Sequence, residues 1–394
     1  MEGLKEERAV SRNKVPTLAA IGALRGAFHN MRGIVWQPFV LSLGVPMKSL
    51  GGLESTLDLT RIIVQPVFGG ASDAFGRKRF IIAREIIALT TGILLVLTRS
   101  WHLLFVSVVL LGFENALYPI WSSLVAESFE AVRLGYIYSV LGTGSMAAGL
   151  SATLMAGYIA EAYGYKSVFI IATGFVFLSL GIVLIKLAET KGPTPGAIFS
   201  LRDLSSSLVG IMRPSPELRG FYVAMTVDLF AFNMGYRLLN GMLSKGYGYT
   251  PQMLSIIWAV MTGSMALFQI PLGRYVDRFG YVRYLAASQS LACIVLGITV
   301  LSKEFWAVVA AQALMGFSAA FWGPAEQAWI AKNVDPNERA KAIGSYAAFR
   351  GLLSFPAPFL GGVLFDAYGF DVPIMLNILI AIVDIALILY LIKE

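Results

Sequence analysis

Arg25, His29 and Arg32 lie four and three residues apart in an otherwise apolar stretch, a spacing that puts all three side chains on one helical face. Glu54, Asp58, Arg61 and Gln65 form a second such stripe, and Asn233, Arg237 and Asn240 a third. Guanidinium forks match carboxylate and phosphate geometry, so the arginines suit either an anionic ligand or a structural acid. The carboxylates suit reversible proton uptake, because a partly buried acid changes its hold on a proton as its neighbours move. Glu114, Asp58 and Asp228, in that order, are the candidates for this role. His29, beside two arginines, reads first as a neutral hydrogen-bonding partner. Other chemistries lack their parts. His29, His102 and the single Cys293 sit in separate segments, which leaves no metal cluster, no nucleophile beside a base and no disulfide. There is no Walker-type phosphate loop either, so the sequence predicts neither an enzyme nor a cofactor.

These polar stripes have to be held inside a very apolar chain. Of 394 residues 57% are hydrophobic and 14% charged, and the mean hydropathy is +0.70. Twelve windows are long and apolar enough to cross a bilayer, near 18–40, 50–71, 80–98, 102–125, 135–158, 167–188, 219–241, 252–272, 283–301, 305–328, 341–364 and 372–392. MEGLKEERAVSRNK carries both signs of charge and no small-residue cleavage site follows it, so it is expected to open the first span. The formal charge of +7 points to topology rather than nucleic acid. With the N-terminus inside, only Lys48, Arg99, Lys166, Lys245 and Lys303 fall in outer loops, which predicts a plasma-membrane protein with both termini cytoplasmic.

Six arginines, Arg25, Arg32, Arg61, Arg84, Arg237 and Arg350, fall within the spans. At roughly 3 kcal/mol each they would cost on the order of 18 kcal/mol if they faced lipid. A typical domain is stable by only about 5 to 15 kcal/mol. They are therefore expected to face a polar interior, to pair with acids or to reach the interface, the last being the expectation for Arg84 with Glu85 at the inner end of the third span.

The chain also half-repeats itself at an offset of about 204 residues. Gly69, Asp73, Phe75, Gly76 and Arg79 fall on Gly273, Asp277, Phe279, Gly280 and Arg283, and Trp101, Pro119 and Arg32 fall on Trp306, Pro324 and Arg237. Two halves of six spans each, in the same orientation, are one recurring plan of secondary transporters. The expected division is 1–187, a cytoplasmic linker at 188–218 with Leu201, Leu204, Leu208 and Ile211 on one helical face, and 219–394.

Gly69-x-x-x-Asp73-x-x-Gly76-Arg77-Lys78-Arg79, after the second span, resembles the signature loop of the major facilitator superfamily. Gly273, Asp277 and Gly280 are its weaker echo after the eighth span. Ala74 stands where that family usually has a cation, and Tyr281 and Val282 where the echo would carry a basic pair. The resemblance covers nearly the whole chain, including Glu130 and Arg133 after the fourth span and their counterparts Glu338 and Arg339 after the tenth. It implies an all-α membrane protein, with twelve transmembrane helices in two pseudo-symmetric six-helix bundles. It also implies a functional monomer in the lipid bilayer that moves a small organic solute, anionic or amphiphilic, by alternating access with protons as the driving ion and no nucleic-acid partner.

In that family spans one, four, seven and ten line the cavity, which implies a substrate site at Arg25, His29, Arg32, Asn233, Arg237, Arg350 and Trp322, with Arg32 and Arg237 as an anion clamp. The structural alternative pairs Arg32 with Asp58 or Glu54. The family's loop implies a gate of Gly69, Asp73, Gly76, Arg77, Arg79, Glu127, Gly273, Asp277 and Gly280. In it Asp73 accepts from N–H groups at a helix start and Arg77 reaches Glu127. Prolines 66, 119, 271 and 324 are expected to kink their helices. Trp101 and Trp306 read as interfacial belt residues, and Trp322, Phe321 and Tyr118 as an apolar wall. The rivals are a multidrug or sugar efflux carrier and a sensor that binds without transporting. Proton-exchanging drug exporters of the family usually carry an arginine where this chain has Val108, and a Gly-Pro pair in span five that is missing here.

Overall fold

A computed structural model describes the backbone of residues 2–130, 133–190, 218–335 and 339–392, and their side chains apart from 2–13, 270, 273–279, 331 and 339–341. Among these residues the regular structure is helical throughout. Nine of the twelve spans are single helices: Glu2–Ser42, Met47–Phe75, Arg77–Leu97, Leu134–Tyr163, Tyr165–Lys186, Pro251–Phe279, Tyr281–Leu301, Phe305–Asn333 and Asp371–Leu391. The remaining three are broken. The fourth runs Trp101–Ala116 and Tyr118–Ser128, and the eleventh Arg339–Ser354 and Ala357–Tyr368. The seventh runs Arg219–Met234, a 3-10 turn at Tyr236–Leu238, and Leu239–Tyr247.

Each kind of boundary has a local cause. The second and third spans are separated by Gly76 alone, whose φ of 96° lies where a side chain would be strained. Gly280 repeats the device at φ 86° between the eighth and ninth. The fourth span breaks just ahead of Pro119, which cannot donate a backbone bond. Pro66, Pro271 and Pro324, by contrast, sit inside helices that run on past them. One of the four prolines thus coincides with a break in its span.

Two compact units emerge: residues 1–36 with 60–204, and 37–59 with 205–394. Gln37–Leu59, the end of the first span and the start of the second, groups with the C-terminal unit instead of the N-terminal half expected for it. The reason is polar: Gln37 donates to the Arg237 carbonyl at 2.8 Å and accepts from Gly241 N–H at 2.9 Å. Asp366 accepts from the Met47 and Lys48 N–H groups at 3.1 and 2.8 Å. The expected linker helix, including Leu201, Leu204, Leu208 and Ile211, lies outside the described residues.

Apolar side chains close each unit. Leu18, Ile21, Ile81, Leu117, Leu124 and Val183 are buried together in the first. Phe221, Tyr222, Trp329, Tyr346 and Ile388 do the same in the second, where Phe221 stacks on Trp329 with centroids 4.1 Å apart. Glycines permit close helix approach: a Cβ on Gly26 would meet the Ser145 carbonyl oxygen at 2.4 Å, and one on Gly316 the Met261 carbonyl oxygen at 2.1 Å. Ile86, Ile93, Ile170, Phe177, Ile185 and Leu379 are exposed, as lipid-facing side chains should be. Trp101 and Trp306 are exposed at the starts of the fourth and tenth spans.

Among the described residues, nine spans are long and apolar enough to cross a membrane by length and composition. The first, second and seventh fall short. These are the spans that carry the three polar stripes.

Candidate functional site

In the first unit the charged residues converge on two buried glutamates. Glu114 ends the first helix of the broken fourth span and is 2% exposed. It accepts from Arg25 Nη2, and from Arg32 Nη1 at 3.0 Å. Glu85, fully buried, takes Arg84 Nη2 at 2.9 Å and lies 3.7 Å from Arg25 Nη1. Arg25 and Arg32 both sit over the Phe28 ring, and Arg84 over Trp121. His29 is exposed, with Nδ1 3.4 Å from Arg32 Nη2.

Two expectations change here. Arg84 does not reach an interface: at 3% exposure it is sealed with Glu85, because Trp121 covers its guanidinium and Glu85 supplies the counter-charge. Arg32 pairs with Glu114, while the acids suggested for it, Glu54 and Asp58, belong to the second unit. The charge sum is uneven. Three guanidiniums, Arg25, Arg32 and Arg84, face two carboxylates, Glu85 and Glu114. Buried Arg25 Nη1 and Arg84 Nε make no hydrogen bond, and neither does Glu85 Oε2, which faces Arg25 Nη1 at 3.7 Å.

In the second unit Arg237 lies in the 3-10 turn of the seventh span, where the broken helix lets its side chain meet two acids. Nε and Nη2 donate to Glu54 Oε2 at 3.2 and 3.0 Å, and Nη1 lies 3.2 Å from Asp58 Oδ2. Gln37 donates to the other Glu54 oxygen at 3.3 Å. Asn240 accepts from Trp258 Nε1, and Asn233 is buried. Arg350 pairs with Glu326 at 2.9 Å and donates to the Tyr346 hydroxyl at 2.8 Å. Asp228 accepts from Gln289 Nε2 at 3.0 Å. Trp322 is partly buried against the Phe221–Trp329 cluster, and Tyr118 is exposed.

The signature loop forms a cluster of its own. Arg77 donates to Asp73 at 2.5 Å, to Ser72 Oγ at 2.6 Å and to Glu127 at 3.0 Å. The carboxylate at the start of the third span is not Asp73, which is exposed, but Glu189: it accepts from Arg77 and Lys78 N–H at 2.8 and 3.2 Å, where helix dipole and unpaired donors favour an anion. Thr190 ties this to Glu127 at 2.7 Å. Arg79 is exposed. The side chain of Asp277, in the echo of the loop, lies outside the described residues, as do those of Glu338 and Arg339.

The sequence paired Glu85 with Arg84 but gave it no part in the site, and spacing did not single out Glu189, Glu326, Tyr346, Gln37 or Gln289. The three acids and the tyrosine had a usable signal, an acid or hydroxyl within or just beyond an apolar span; the two glutamines had none beyond their polarity. Among the described residues no group of three or more His, Cys, Asp or Glu is placed to hold a metal.

Residues 18–244 and 220–394 each match the family model of the Major Facilitator Superfamily. The chain belongs to that superfamily. It is similar to the multidrug resistance protein MdtG of Proteus mirabilis, 25% identical over 320 residues that span 78% of this chain and 77% of the relative. Against MdtG of Escherichia fergusonii the identity is 26% over 346 residues, 84% of this chain and 83% of that one. Among solved structures, the human organic anion transporter MFSD10 superposes with a TM-score of 0.69 at 16% identity, over 97% of this chain and 99% of that one. The nucleoside transporter NupG superposes with a TM-score of 0.79 at 14% identity, over 96% and 100%. At such identities the structures establish the fold. As a member of the superfamily, the chain is an integral membrane secondary transporter and not an enzyme.

Proposed function

We propose that this transporter carries an amphiphilic organic anion by alternating access, with protons as the coupling ion. The observation that supports the substrate class is the uneven charge of the first unit, where Arg25, Arg32 and Arg84 outnumber Glu85 and Glu114. An uncompensated charge is costly away from water, and an anionic ligand would neutralise it. Arg237, the other member of the clamp suggested by the repeat, already meets two acids, so the anion is assigned to the Arg25 side.

Coupling is supported by carboxylates within the spans, and the cytoplasmic placement of both termini by the distribution of Lys and Arg. The Arg77 cluster is read as a latch that the monomer breaks when it opens inward. A second reading, broad drug efflux, is favoured by the name of the MdtG relatives and opposed by Val108 and the absent Gly-Pro pair. Flux from proteoliposomes separates the two. Anionic sulforhodamine B and cationic tetramethylrhodamine ethyl ester share a ring system and differ in charge; with and without a pH gradient, only the anion should move faster than in empty liposomes. Faster movement of both would support drug efflux. Specific binding of the anion with no flux would leave a sensor.

A further inference from the structure

Most charges inside the second unit meet an opposite charge, Arg237 with Glu54 and Asp58, and Arg350 with Glu326. Asp228 and Asp384 do not. Asp228 is in the first helix of the seventh span, Asp384 in the twelfth, and Gln289 of the ninth joins them. The Gln289 Nε2 donates to Asp228 Oδ1 at 3.0 Å and to Asp384 Oδ2 at 3.3 Å. An amide nitrogen has two hydrogens, and both are used. Asp384 is fully buried, and its remaining oxygen, Oδ1, has no partner. Asp228 is half-buried.

The charged and titratable neighbours do not cancel this pair. Glu326 on the tenth span and Arg350 on the eleventh act on Asp228 from a distance, but they hold one another at 2.9 Å and largely offset. Tyr346 on the eleventh bonds to both of those. Cys293, one turn beyond Gln289, is the titratable group near Asp384. Two ionised carboxylates around one neutral amide would therefore leave two negative charges in hydrocarbon, and the inexpensive remedy is a proton.

We propose that Asp228 and Asp384 share one dissociable proton across Gln289, and that this pair is the proton-carrying site of the transport cycle. The second clause rests on the proton-coupled reading above. The two acids divide the work by burial. The pair takes up one proton at a time: Asp384, sealed and with a bare oxygen, binds it more firmly, and Asp228, the more open acid, binds and releases it directly with water, Gln289 serving only as the donor that holds both carboxyls in place. Glu114 and Asp58, the other candidates, are held by arginines and have less reason to bind a proton.

The test uses the full chain in lipid vesicles, and its first part needs no substrate. In a pH titration followed by infrared spectroscopy, the C=O band of a protonated carboxyl should vanish as pH rises in the wild type; Asp384→Asn should remove that component, and Asp228→Asn, which takes away the neighbouring carboxylate, should move its midpoint. Asparagine mimics the protonated acid and still accepts from Gln289, so both variants should melt no lower than the wild type. Asp228→Glu, which keeps a carboxyl, should retain the band at a shifted midpoint. A titrating band left unchanged in both asparagine variants overturns the shared proton. In the second part, a pH gradient should drive sulforhodamine B in the wild type, whereas Asp228→Asn should exchange the dye without responding to the gradient. An unresponsive wild type overturns the coupling reading and the pair's part in it. A responsive wild type with equally responsive asparagine variants overturns the site alone.

Discussion

Glu114 holds two guanidiniums at once, so Glu114→Gln is the most informative single change. Glutamine keeps the shape and removes the charge. Arg25 is then left with Glu85 at 3.7 Å, and Arg32 with His29 at 3.4 Å. Taking one partner from a buried ion pair costs about 3–5 kcal/mol, and with two arginines affected the upper end is expected. The cluster's charge rises by one, so it should seek an anion more strongly. An anion present at a hundred times its dissociation constant stabilises by about 2.7 kcal/mol, enough to restore roughly half of the loss. The assay is thermal unfolding in nanodiscs, read by tryptophan fluorescence, with benzenesulfonate and its neutral analogue benzenesulfonamide. The variant should melt well below the wild type and recover with the sulfonate only. A variant as stable as the wild type would refute the charge accounting. Equal rescue by the sulfonamide would refute the anion site while leaving the ion pairs intact.

Three further outcomes are expected. Asp73→Asn should leave folding nearly unchanged, because Arg77 retains Ser72 and Glu127, but raise the labelling of single cysteines placed at the C-terminal ends of spans four and ten; unaltered labelling in folded protein argues against a latch. Arg237→Lys keeps the charge and gives up the fork that spans Glu54 and Asp58, so it should lower stability by about 1.5–3 kcal/mol, the worth of a charged hydrogen bond. An unchanged melting curve would mean that the fork contributes nothing. Gly316→Ala drives a methyl to 2.1 Å from the Met261 carbonyl oxygen and should cost about 1–3 kcal/mol by overpacking, whereas Gly323→Ala, with nothing within 4 Å, should melt like the wild type.

The fold was legible because a bilayer allows few solutions. Long apolar windows, glycine turns at Gly76 and Gly280 and the half-repeat each point to helices in two bundles. The charged clusters were legible by residue type but less so by partner. Helical spacing placed Arg25 and Arg32 on one face, yet their shared acid comes from the fourth span, which periodicity within the first cannot reveal. Arg84 misled for the opposite reason. Its position near a span end suggested the interface, and only packing shows that Trp121 and Glu85 seal it in. The grouping of Gln37–Leu59 with the second unit was invisible for a similar reason, since it depends on amide and backbone bonds that leave no periodic trace.

One regularity links the backbone to the charges. The fourth, seventh and eleventh spans are broken, and Glu114, Arg237 and Arg350 lie at or within a few residues of those breaks. A break frees N–H and C=O groups that hydrocarbon cannot satisfy, so it persists only beside protein or water. A charged side chain faces the same restriction. Both requirements are met on the polar interior of each unit, so breaks and charges gather on the same spans without any need for one to cause the other. The polar stripes of the first, second and seventh spans follow the same rule, which is why those helices fall short of the hydropathy expected of a membrane span. In this chain, weak hydrophobicity in a helix marks a polar face packed inside the protein rather than a helix that stays out of the membrane.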